Sequence, residues 1–175
     1  MLEFVLRGVL AFGMVLGIIF IHELGHYLAG RWVVGIPQAD ITIVMTDIPQ
    51  HVALRADNKW VGPDEIEQYS ALYEEYDPDH EYLEPYIGAG ELVQTLGVVI
   101  IAAIFVGIGL HGAATSLVII SVLTTGLYLV WDVAGSVYIG RPMGDYSALW
   151  EISPLAAIAV LSAFLISHLL MYVWI

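Results

Sequence analysis

Three long stretches of this chain carry no Asp, Glu, Lys or Arg: Gly8 to Ile21, Leu92 to Trp131, and Ile152 to Ile175. The last two are interrupted only by His111 and His168. A helix rises ~1.5 Å per residue, so crossing a hydrocarbon layer of about 30 Å takes about 20 apolar residues. The middle stretch is too long for one crossing, and the polar, helix-weakening run His111-Gly112-Ala113-Ala114-Thr115-Ser116 divides it. The pattern therefore predicts four spans, at about 5–29, 91–110, 115–139 and 153–175. With 59% hydrophobic and 13% charged residues in 175, a water-soluble globule has no interior large enough to hide the apolar surface. The expected fold is an all-α membrane protein, one domain over residues 1–175 with about four transmembrane helices, whose first partner is the lipid bilayer. The first span sits where a signal peptide would, but no small-residue cleavage site follows, so it is expected to stay in the membrane.

Charge and cysteine content remove several function classes. Five Lys+Arg against 18 Asp+Glu give a formal net charge of −13, which argues against nucleic acid as a partner. No cysteine is present, so disulfides, thiolate metal sites, thiol nucleophiles and iron–sulfur clusters are excluded together. Four spans put both termini on one side. The loop 31–90 and the turn 140–151 lie opposite, with Arg31, Arg55, Lys59 and Arg141 against only Arg7 on the terminal side. That imbalance predicts a cytoplasmic loop 31–90 and outward termini.

The loop reads in two halves. Ile41-Thr42-Ile43-Val44-Met45-Thr46 and His51-Val52-Ala53-Leu54-Arg55 flank a Pro-containing turn, predicting a small β-hairpin. Asp57 to Glu91 holds eleven acids and one lysine, interleaved with Tyr69, Tyr73, Tyr76, Tyr82 and Tyr86. Pro63-Asp64-Glu65 is a helix start, after which Ile66, Tyr69, Leu72, Tyr73 and Tyr76 form one apolar stripe. The expectation is an amphipathic helix lying against the protein or membrane surface. Calcium binding finds no EF-hand pattern, and the acid excess also suits life in high salt, where self-repulsion is screened.

The chemistry-bearing run is His22-Glu23-Leu24-Gly25-His26, late in the first span. Residues four apart on a helix face the same way one turn apart, so both imidazoles can reach one ion at about 2.0–2.1 Å. Glu23 is placed to act on a water at that ion rather than to be a ligand. Such a run is expected about 0.02 times by chance in a chain of this composition. His22 lies ~21 Å into the hydrocarbon layer by helical rise, where ionisable groups cost several kcal/mol unless paired, metal-bound or facing water. A hydrogen-bonded polar cluster tying helices together is the alternative.

A third ligand is required. His111 and His168 fall near the outer ends of their spans, as interfacial or packing residues. His80 lies in the acidic loop, and His51, in the hairpin, is a candidate ligand or substrate contact. Among the carboxylates, Asp132 lies about eight residues from the cytoplasmic end of the third span, near the depth of His22. Asp145 follows Arg141-Pro142-Met143-Gly144 at a helix start, a common N-cap position. Depth favours Asp132, which otherwise reads as a hydrogen-bonding partner of a histidine or of another helix.

His22-Glu23-Leu24-Gly25-His26-Tyr27-Leu28-Ala29-Gly30-Arg31, buried in the first of a few spans, resembles the site-2 protease group of intramembrane zinc metalloproteases (M50), in particular its small divergent branch. The usual Leu-Asp-Gly form of the family's later ligand is absent. Gly144-Asp145-Tyr146-Ser147-Ala148-Leu149, followed by Pro154, is similar to the Ser/Gly-Asp pair that opens the last segment in that branch. The resemblance implies His22, His26 and Asp145 as ligands of one Zn2+ ion, with Asp132 where the family's helix breaks. It implies Glu23 as general base, and a transmembrane protein as substrate, held as an extended strand by a region such as Ile41–Arg55. A broken segment at 140–144 would reconcile Asp145 with its shallow position in sequence. Gly88-Ala89-Gly90 is similar to a glycine-rich stretch of the family. Two other classes remain open at this point: a zinc-binding membrane scaffold without peptidase activity, and a metal or proton transporter.

Overall fold

A computed structural model describes residues 1–175. The apolar blocks become four long helices: α1 (Leu2–Ala29), α3 (Leu83–Gly107), α4 (His111–Ile139) and α6 (Pro154–Trp174). Between α1 and α3 lie a single π-helical turn (Gly30–Val34), the strands β1 (Ile41–Val44), β2 (His51–Ala56) and β3 (Lys59–Val61), and the short helix α2 (Ile66–Glu74). A short helix α5 (Asp145–Ile152) separates α4 from α6. The chain is an all-α membrane protein carrying one small sheet. Only 37 of its residues are buried, because the outer faces of the long helices present Leu, Ile, Val and Phe to where lipid would be.

Helix α3 is the hub, packing on α1, α4 and α6. Its approach to α1 is backbone-close: a Cβ on Gly25 would collide with the Ala89 carbonyl and lie 2.9 Å from Gly90 Cα. Small residues at such crossings let helices associate by van der Waals contact in lipid, where no hydrophobic force brings them together. Away from that crossing, Ile18, Val98, Ala102, Ala114, Leu117, Val118 and Met171 join α1, α3, α4 and α6 in one apolar cluster. Helix α3 begins eight residues before the expected 91. Pro85 sits in its first turn, where a missing N–H costs nothing, and the Asp77 carboxylate accepts the Glu81 and Tyr82 N–H groups at 2.9 Å each.

The segment before α3 folds as a cap with its own core. The expected hairpin is present, with Ile41 opposite Leu54 and Val44 opposite His51. A third strand, unforeseen, extends it: Leu54 pairs with Val61 across a tight turn at Asp57, whose φ is 50°. Asp tolerates that left-handed conformation better than most residues. The tyrosine stripe of α2 faces the protein, where Tyr73 joins Ile36, Ile41, Val52, Leu54 and Tyr86 in the cap core. The acidic side of α2 is exposed.

Helix α4 stops at Gly140, whose φ of 76° forms a left-handed end. After the connection 141–144, α5 runs to Ser153, which then caps α6 ahead of Pro154. The helix start expected at Asp145 opens α5, the span expected from about 153 is α6, and α5 packs on α3, α4 and α6.

Candidate metal centre

The helical spacing of His22 and His26 brings their Nε2 atoms to 3.2 Å. Asp145 Oδ2, 123 residues along the chain from His22, lies 2.8 Å from His22 Nε2 and 3.2 Å from His26 Nε2. The second nitrogen of each ring decides what these contacts mean. His26 Nδ1 lies 3.0 Å from the Tyr86 carbonyl oxygen, which can only accept, so Nδ1 carries the proton and Nε2 presents a lone pair. His22 Nδ1 lies 3.2 Å from Gln94 Oε1, with the amide so oriented because Gln94 Nε2 donates to Thr125 Oγ1 at 2.8 Å. With both rings neutral, three acceptors therefore converge with no donor among them. A proton on one imidazole or a bound cation relieves that repulsion, and two imidazole nitrogens with one carboxylate oxygen form a donor set that could hold a metal ion.

Backbone geometry keeps the space between these atoms open. A Cβ on Gly90 would lie 2.7 Å from His22 Nε2 and closer still to His26 Nε2. Gly90 thus lines the candidate centre, and of the Gly88-Ala89-Gly90 run it is the glycine the rings require. Glu23 is 8% exposed and makes no hydrogen bond, which leaves its carboxylate free beside the cluster. The Asp145 side chain is the most open of the three ligand candidates, at 30% exposure against 12% for His22 and 9% for His26.

Asp132 does not reach the histidines. It is fully buried, accepts the Ser147 backbone N–H at 2.9 Å and Ser136 Oγ at 3.2 Å, and receives a short hydrogen bond from Ser147 Oγ. Ser147 Oγ also accepts from the Gly144 N–H. Asp132 thus fixes the start of α5, and α5 in turn presents Asp145. The aspartate that depth favoured acts between helices, which was its other reading. Asp145 is the first residue of α5, while Gly144 occupies the N-cap.

The remaining histidines are elsewhere. His51 sits on β2 with Nδ1 donating to the Pro49 carbonyl at 3.1 Å, within electrostatic reach of Glu23 but outside the cluster. His80 is exposed and pairs with Glu74 at 3.5 Å, and His111 is exposed at the start of α4. His168 is buried, bonded to Ser121 Oγ at 3.0 Å and to the Phe164 carbonyl at 2.9 Å. It packs as expected, yet Ser121 lies at the far end of the network that begins at His22 and Gln94.

Two residues near the centre escaped sequence reading. Glu91 and Gln94 are both 3% exposed and line the inner side of the site. Their signal was present: Ser121, Thr125, Tyr128 and Asp132 recur at steps of four, three and four along α4, one polar face in an otherwise apolar helix. A polar face inside the bilayer needs polar partners on a neighbouring helix, and α3 supplies them. Compared with known protein families, characterised proteins and solved structures, the chain matches none.

Proposed function

We propose that this protein is an intramembrane zinc metalloprotease of the site-2 type, cutting membrane-embedded protein substrates. The observation that carries the reading is the convergence of His22 Nε2, His26 Nε2 and Asp145 Oδ2 within 3.2 Å of one another beside an unbonded Glu23. The resemblance around His22–Arg31 supports it and names the metal. His22, His26 and Asp145 would hold the ion, which when bound supplies a Lewis acid that makes water a nucleophile near neutral pH.

The chain's own residues do the rest. Tyr86 and Gln94 fix the tautomer and the orientation of the two rings. Glu23 takes a proton from the attacking water and delivers it to the departing amine nitrogen, so one carboxylate serves both halves of the hydrolysis. A helical substrate must unwind before its carbonyl is accessible. The sheet runs β1-β2-β3, so β1 has a free edge on which an extended segment can pair and offset part of that cost. The central loop lies on the cytoplasmic side in this reading, by its excess of basic residues.

Purified protein reconstituted with zinc and given a fluorogenic single-span peptide provides the test. Glu23→Gln keeps stoichiometric zinc and loses cleavage; His22→Ala loses both. Proteolysis at the wild-type rate in Glu23→Gln protein overturns the role given to Glu23. Zinc bound without any cleavage by the wild type selects the scaffold reading instead.

A further inference from the structure

Ligands and base leave one task of peptide hydrolysis unassigned: a hydrogen-bond donor for the carbonyl oxygen as it gains negative charge. We propose that Tyr128 Oη–H is that donor, an inference that rests on the proteolytic reading above. Tyr128 stands on the polar face of α4, one helical turn before Asp132, and its hydroxyl accepts the Asp145 backbone N–H at 3.0 Å. The oxygen is thereby pinned within one residue of the ligand carboxylate, and its own proton has no acceptor. Asp132, the nearby carboxylate, accepts from Ser147 and Ser136 and makes no hydrogen bond with Tyr128.

Position favours contact with substrate. The Tyr128 ring meets the His22 ring edge-on at 6.2 Å and stacks on Trp131 at 5.9 Å, which fixes the phenol's direction. The half-buried ring lies beside Asp145, the most open ligand candidate. Gly144 makes the approach possible, since a Cβ there would collide with Tyr128 Oη. Tyr146, the other phenol nearby, cannot serve. Its hydroxyl is buried without an aligned hydrogen bond, and it lies with Glu91 against a cavity of only about 10 Å³ that His22, Asp145, Ile87, Leu149 and Val160 also line. That space holds one water and no peptide.

The experiment compares Tyr128→Phe, and O-methyltyrosine incorporated at position 128, with the wild type on the same peptide. O-Methyltyrosine retains an oxygen facing the Asp145 N–H but has no proton to donate. Both changes are expected to lower kcat about 10²–10³-fold, with KM and zinc affinity within about two-fold of the wild type. A kcat within three-fold of the wild type in either active, zinc-loaded variant overturns the assignment. So does a loss of zinc affinity parallel to the loss of rate, which would mean that Tyr128 only positions Asp145. A wild type that binds zinc and cleaves nothing overturns the proteolytic reading itself, and with it this one.

Discussion

Gly90 has no side chain, and the proposed metal centre depends on that absence. Its Cα faces both imidazoles where α1 and α3 cross, and any β-carbon would enter the space between the Nε2 atoms. Gly88, two residues earlier, is a fair control, because a methyl there meets Val160 Cγ2 at 3.4 Å and Leu149 Cδ2 at 3.9 Å, ordinary contact distances. Overpacking costs about 1–3 kcal/mol, and about 1.4 kcal/mol is tenfold in affinity. Gly90→Ala should therefore weaken zinc binding about 10- to 100-fold while Gly88→Ala changes it less than three-fold, measured by competition with a chelating dye. Equal effects of the two would show that Gly90 serves helix packing alone. Gln94→Leu should cost a similar 10–100-fold by freeing the His22 ring. At this scale the sequence was uneven in what it disclosed. His22, Glu23 and His26 are legible because four residues on one helix have a fixed geometry. Depth ranked Asp132 above Asp145, the wrong way round for reaching the histidines, because depth along a span ignores the left-handed stop at Gly140 that folds α5 back toward α1.

Among the elements, the cap couples to the centre through tyrosine. Tyr69 Oη and Tyr86 Oη are 2.6 Å apart, Tyr86 packs on Tyr73 at 5.1 Å and on His26 at 5.9 Å, and the Tyr86 carbonyl holds His26. The amphipathic helix was legible from its stripe, but what that stripe covers was not, because β3 is only three residues long and the core of the cap forms from partners distant in sequence. Burial, with the neighbouring Tyr86 for Tyr69, Asp77 for Tyr73 and Asp40 for Tyr76, pushes the two phenols of α2 and that of Tyr76 just beyond it upward from the ordinary value. A group whose folded value is raised holds its proton more tightly in the folded state. Its stabilising contribution is complete below the unfolded value, about 10, and falls as pH rises beyond it. Alkaline titration followed at 295 nm should therefore show these phenols ionising late, in one step with loss of the cap's strand signal in circular dichroism. Gradual ionisation near pH 10 with the strand signal intact would disprove the coupling of these phenols to cap folding.

For the whole molecule, the sign of the cap's side decides which part of a substrate reaches the centre first. Both termini lie on one face of the four-helix arrangement, and the cap on the other carries Arg31, Arg55 and Lys59, joined there by Arg141 at the α4–α5 connection. Each Lys or Arg resists transfer across the membrane during insertion, whereas Asp and Glu contribute little to orientation. The eleven acids of residues 57–91 therefore do not reverse the prediction made by four basic residues against one, although they dominate the charge. A chain without cysteine lets single thiols report the answer without background. Glu67→Cys, on the exposed face of α2, should react with a membrane-impermeant maleimide only after cells are permeabilised, and Glu3→Cys, exposed at the start of α1, should react in intact cells. The opposite pattern would put the cap outside, with β1 offering its edge to extracellular segments. Glu23 and the two histidines would then be reached from the outer face, and the direction of substrate approach proposed here would be reversed while the metal centre itself stood unchanged.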